Sequence, residues 1–137
     1  MKIKLDKHAF LPERAHPSDA GLDLKSPAKF VIRPHSYCSV PTGVHVELPE
    51  GTAGLVKSKS GLMVKHGIVT DGLIDEGYRG EIVVWLCNTG AESYLVERGD
   101  KIAQLVVVPV RAEPIAVTAE LDMDTERGTH GFGSSGR

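Results

Sequence analysis

The sequence predicts an all-β sandwich or barrel, and two observations carry that prediction. Short apolar runs recur along the chain, and Gly or Pro punctuates them at intervals of ~8–12 residues. A single segment, Ser60 to Lys65, lacks β-alternation while lying between strand candidates, so one short helical turn is expected there.

The strand candidates follow in order. Phe30-Val31-Ile32 stops before Pro34, and Val44-His45-Val46-Glu47-Leu48 alternates until Pro49-Glu50-Gly51. Gly54-Leu55-Val56 comes next, then Ile82 to Leu86, which the turn residues Asn88-Thr89-Gly90 end. Tyr94-Leu95-Val96 leads into Arg98-Gly99-Asp100, and Ile102 to Val110 is the longest apolar run. Ile115-Ala116-Val117 is expected to close the core. At 137 residues the chain has the length of one domain, with no linker or repeat before its C-terminal tail.

Composition excludes several classes of function. With 16 Lys and Arg against 18 Asp and Glu, the net charge of -2 offers no basic field for nucleic acid or an anionic membrane. Cys38 and Cys87 share no CxxC spacing, so neither a zinc site nor a redox motif is indicated, and a reduced, cytoplasmic compartment is expected. No secretory signal is expected at the N-terminus, and no run approaches the ~20 apolar residues of a membrane span.

Five segments carry groups suited to chemistry. Asp19 to Ser26 places Asp19 and Asp23 around Gly21, where an Asx-type turn feeding a strand is the plainer reading. Lys57-Ser58-Lys59-Ser60-Gly61-Leu62 sets cations and hydroxyls beside a glycine, a combination that cradles an anion or forms a solvated basic turn. Gly72 to Glu81 holds three glycines and Asp75, a hairpin whose acid follows two apolar residues, so partial burial would tune it as a base. Gln104 is an amide inside an otherwise apolar strand, either a satisfied structural residue or a ligand contact.

The fifth segment is the tail, Arg127 to Arg137. Gly128, Gly131, Gly133 and Gly136 make it costly to order, yet it carries a guanidinium at Arg127, a ring at Phe132 and hydroxyls at Ser134 and Ser135. Those groups suit a nucleotide, and the alternative is a solvated terminus. Gly131 to Gly136 matches G-x-G-x-x-G in letters alone, since only Arg137 follows it and no strand–helix context surrounds it.

In this order the five segments closely resemble the five motifs of the homotrimeric dUTP pyrophosphatases, the dUTPases, from about Ala15 to the C-terminus. The resemblance implies a jelly-roll-like β-barrel over residues 1–126 and a mobile C-terminal lid over residues 127–137. It implies a homotrimer whose active sites lie at subunit interfaces. The implied reaction is hydrolysis of dUTP to dUMP and pyrophosphate by attack of water on the α-phosphorus. That reaction limits uracil incorporation into DNA and supplies dUMP for dTMP synthesis.

Residue by residue, Asp75 resembles the family's catalytic base. Tyr78 is similar to the ring under the deoxyribose, and Leu73 and Ile74 to the hairpin that reads uracil. Asp23 resembles the acid that holds Mg²⁺ through water. Lys59, Ser60, Gly61 and Gln104 match phosphate contacts. Arg127, Ser134 and Ser135 match γ-phosphate ligands, with Gly133 between them and Phe132, the ring that stacks on uracil. Lys59 stands where arginine is frequent, His130 where glycine is frequent and Ser135 where threonine is usual. The stretch between His66 and Gly72 is short, leaving Asp71 only in the neighbourhood of the uracil reader.

Two rivals make different demands on the chain. A dCTP deaminase would need a glutamate where this chain has Trp85. A non-catalytic relative would bind a regulatory protein partner, for which the sequence names no candidate.

Overall fold

The computed structural model describes residues 1–131. Two four-stranded sheets face each other across one core, and a two-stranded ribbon flanks them. The first sheet orders β1 (Lys2–Leu5), β4 (Ser36–Glu47), β8 (Glu81–Asn88) and β6 (Ile68–Val69). The second orders β2 (Gly21–Lys25), β10 (Lys101–Pro109), β5 (Thr52–Lys57) and β7 (Asp71–Ile74). The ribbon pairs β3 (Phe30–Ile32) with β9 (Tyr94–Val96). Every strand pairing is antiparallel, and the expected jelly-roll-like barrel is what forms.

Alternation decides which face each strand buries. Val40, Val44 and Val46 of β4 meet Ile82, Val84 and Leu86 of β8, all at most 4% exposed. From the second sheet Leu22, Leu24, Leu105 and Val56 close the core opposite them. Two buried polar side chains are answered by backbone: Asn88 Nδ2 donates to Ile32 O at 3.0 Å and Glu92 O at 2.8 Å, and Thr42 Oγ1 donates to Ile82 O at 2.6 Å. Asn88 thereby ties the ribbon and the following loop to the first sheet, since an unpaired buried amide would cost more than the bond itself contributes.

The helix is where the sequence placed it. α1 (Ser60–His66) has the extended Lys59 as its N-terminal flank and ends at Gly67.

Three features differ from the sequence reading. β1 forms from a segment with no apolar run, because it adds to the edge of β4 through backbone pairing and buries little. The first half of β4, Ser36 to Thr42, is also a strand, extending the Val44–Leu48 candidate backwards. Ile115 and Val117 do not close the core: they are 96% and 100% exposed. The last strand ends at Pro109, and the described residues after it carry no helix or strand, so nothing among the described residues covers them. Among the described residues no helix is long and apolar enough to cross a membrane.

Candidate active site

The register of the second sheet lines up one row of polar side chains. Asp23 faces Gln104, Gln104 faces Lys57, and Lys57 faces Asp71, crossing β2, β10, β5 and β7 in turn. Directly opposed residues share a face, and the neighbouring row Leu22, Leu105, Val56 points into the core. The polar row therefore lies on the outer face.

Asp23 is the focus of that row. It is 4% exposed, and Lys59 Nζ donates to its Oδ1. Lys101 Nζ stands 2.6 Å from Oδ2, close enough for an ion pair but out of line for a hydrogen bond, which leaves Oδ2 a buried acceptor without an aligned donor. Burial pushes the Asp23 carboxyl up, while Lys101 and Lys59 together outweigh it and hold the group below the ordinary carboxylate range. Asp23 is accordingly ionised at neutral pH.

Gln104 Nε2 donates to Ser58 O at 3.0 Å, so the amide in the apolar strand has a structural partner and still faces the row. Lys59 leads directly into Ser60 and Gly61, both exposed at the first turn of α1.

The hairpin from β7 to β8 forms a second patch. A groove of about 240 Å³ is lined by Leu73, Ile74, Asp75, Tyr78, Glu81 and Val83. Tyr78 N donates to Asp75 O at 3.0 Å and Tyr78 Oη to Glu81 O at 3.0 Å, which lays the ring over Gly80. A Cβ at position 80 would collide with that ring. Asp75 is exposed, so the burial expected to tune it is absent within one chain. The two apolar residues before it alternate along β7, and neither covers its carboxylate.

One chain keeps these two patches apart. Asp75 lies four residues beyond Asp71 and three strands from Asp23, which at strand spacings is about 13 Å along and about 14 Å across, or roughly 20 Å in all. Arg127 lies on the segment after Pro109, where its Nε donates to His130 O at 3.1 Å. Phe132, Gly133, Ser134 and Ser135 lie outside the described residues.

The structure adds two residues that sequence reading did not assign to the site. Lys101 reaches Asp23, and Lys57 pairs with Asp71. Lys101 follows Gly99-Asp100 in the sequence, and its partner 78 positions earlier is set by the β2–β10 register.

No cluster of three or more His, Cys, Asp or Glu side chains gathers among the described residues. A divalent cation here would have one protein carboxylate, Asp23, whose Oδ2 lacks an aligned donor. That fits magnesium, which keeps most of its waters and takes one or two carboxylates plus substrate phosphates.

Comparison with known proteins shows the family. The dUTPase family model matches residues 7–136. The deoxyuridine 5'-triphosphate nucleotidohydrolase of Clostridium kluyveri is 46% identical over 136 residues, covering 97% of this chain and 94% of that protein. That of Alkaliphilus metalliredigens is 47% identical over 140 residues, covering 99% and 96%. Among solved structures, the dUTPase of Staphylococcus bacteriophage 80alpha with dUpNHpp superposes with a TM-score of 0.93 at 34% identity, covering 99% of this chain and 98% of that one. A mutant dUTPase from phage phi11 of S. aureus, solved for its coordination of a structural Mg(II) ion, gives 0.80 at 31% identity over 87% and 96%. The chain belongs to the dUTPase family.

Proposed function

We propose that this dUTPase hydrolyses dUTP to dUMP and pyrophosphate at sites assembled from more than one copy of the chain. The observation that carries the reading is the buried, ionised Asp23 set beside Lys59 and Gln104, on the same barrel that presents the Asp75–Tyr78 hairpin.

Triphosphate cleavage asks mainly for positioning and charge neutralisation. Lys59 supplies a cation, and Ser60, Gly61 and Gln104 supply donors for phosphate oxygens. Asp23 would hold Mg²⁺ through its waters, and the ion supplies further charge neutralisation to the phosphates when bound. Asp75 orients a water and takes its proton as the water oxygen bonds to the α-phosphorus. The bond from that phosphorus to the bridging oxygen breaks, and pyrophosphate leaves. Tyr78 packs under the deoxyribose, and backbone near Leu73 and Ile74 reads uracil. Because donor and acceptor are exchanged on cytosine, such a reader discriminates by ~10⁴ or more.

Release of pyrophosphate from dUTP, dCTP, dTTP and UTP with Mg²⁺ tests the reading. Turnover of dUTP alone is expected, and comparable release from dCTP would overturn it. The deaminase alternative has little support, because Trp85 projects from the outer face of β8 beside Tyr37, their rings 5.8 Å apart, where an acid would be required.

A homotrimer with shared sites is supported by the separation of the two patches and by the uncovered segment after the barrel. Ile115, Val117, Leu121 and Met123 are all more than half exposed, an apolar surface that a second copy would bury. Residues 127–137 would then act as the lid over a neighbouring site, with Arg127, Ser134 and Ser135 on phosphate and Phe132 on uracil. Sedimentation should report three times 14.7 kDa. An active monomer at assay concentration would contradict it.

A further inference from the structure

His45 stands on β4 with a hydrogen-bond acceptor at each ring nitrogen. Its Nδ1 lies 3.0 Å from the Arg79 carbonyl oxygen and its Nε2 3.0 Å from Asp6 Oδ2. A backbone carbonyl donates nothing, and neither does an ionised carboxylate, so both contacts require the ring to donate. A neutral imidazole has one N–H; the imidazolium has two.

The position of the ring follows from the backbone. The β4–β8 register slips between Pro41 and His45, with Gly43 in the left-handed region at φ 68. Such a bulge re-aims the residues after it. Glu81 Oε1 accepts from Gly43 N at 2.6 Å and holds the bulge against β8. His45 then pairs across to Glu81 on one side and Lys4 on the other, and its side chain is 17% exposed.

Arg79 belongs to the turn that carries Asp75 and Tyr78. Its guanidinium folds inward, Nη1 donating to Glu76 O at 2.6 Å and Tyr78 O at 3.0 Å. The turn is therefore knit to itself, and its outside attachments matter. Glu76 Oε2 accepts from Gly51 N at 2.8 Å on one side, and the Arg79 carbonyl accepts from His45 on the other.

We propose that His45, as an imidazolium held by Asp6, is a positioning residue that clamps the Asp75–Arg79 turn, so that deprotonation of its ring loosens the turn carrying the base. The clamp rests on the assignment of the reaction to the Asp75 turn. Asp6 keeps its own place, since its N donates to Gly43 O at 2.8 Å and Lys4 Nζ sits 3.3 Å from Oδ1, leaving Oδ2 for the ring. The charged groups around the ring are Lys4 and Asp6 on the β1 side, Arg79 and Glu81 on the hairpin side, and Glu47 two residues along β4, itself paired with Lys2. The bond to Asp6 and then the Arg79 carbonyl hold the His45 pKa above its ordinary value, against burial and Lys4. A raised folded pKa means the clamp is whole below the ordinary histidine value and is lost as pH rises through the raised one.

Two measurements on the full chain test this, one of them independent of turnover. In nitrogen-15 NMR the His45 ring should titrate with a midpoint above about 6.5, the ordinary histidine value, and be doubly protonated below that midpoint. The amides of Tyr78, Gly80 and Glu81 should shift with that same midpoint, and both effects should diminish in Asp6→Asn, which leaves the ring in place. In steady-state kinetics, kcat of the wild type should exceed that of His45→Gln several-fold at about pH 6, and the ratio should fall toward one by about pH 9, with KM for dUTP unchanged within roughly twofold. A His45 ring titrating at the ordinary value with unmoved turn amides would overturn the clamp, as would a pH-independent ratio of kcat. Absence of dUTP turnover in the wild type would instead overturn the reaction assignment while the NMR arm still judges the clamp.

Discussion

Replacing Asp75 with asparagine should slow dUTP turnover by at least ~10²-fold while leaving nucleotide binding nearly intact, the scale on which a positioned general base contributes. The substitution keeps the shape of the side chain and replaces the carboxylate that takes the proton with a neutral amide. Asp75 is exposed within the chain, and the turn around it is held by Tyr78 N on its carbonyl and by Arg79, neither of which uses the carboxylate. Folding should therefore change by less than about 0.5 kcal/mol, the usual range for surface positions. Single-turnover rates with saturating dUTP, set beside binding of a non-hydrolysable analogue, separate the two effects. Near-normal turnover would remove Asp75 from the role of base.

Truncation after Glu126 should give a folded protein that binds dUTP and turns it over far more slowly. Folding is expected to survive because the last strand ends at Pro109 and the core draws nothing from later residues. Stacking of Phe132 on a base is worth ~1–3 kcal/mol, and contacts of Arg127 with phosphate add to it. Ordering a tail rich in glycine costs free energy that offsets this gain, so ground-state affinity should change little. The effect belongs on kcat, because covering the site excludes water and holds the α-phosphorus for in-line attack. The kcat and KM of the truncated protein, beside its thermal unfolding, decide the matter. Full turnover would make residues 127–137 a solvated end.

Much of the barrel was legible in the chain because it rests on local signals. Tyr94-Leu95-Val96 is a strand with those boundaries, and the helix begins at Ser60, where alternation lapses. Signals failed where a strand owes its existence to a partner. Lys2–Leu5 has no apolar run and is held by the edge of β4, while Ile115 and Val117 look like core residues and join no sheet among the described residues. Periodicity reports that one face of a segment wants burial, and it does not say against what.

The site divides along the same line. The residue types alone determined the chemistry on offer: carboxylates at Asp23 and Asp75, cations and hydroxyls from Lys57 to Ser60, an amide at Gln104, and the tail from Arg127 to Ser135, in an order that resembles one family. Register decided which of them meet. It set Asp23 beside Gln104 and within reach of Lys59 and Lys101, buried it, and left Asp75 roughly 20 Å away on a different patch. It also turned His45 between Asp6 and Arg79. A one-residue slip in any of these ladders would send every side chain of that strand to the opposite face. Composition and order are properties of the chain by itself, whereas a neighbour across a sheet exists only once the long-range pairing that places it has formed.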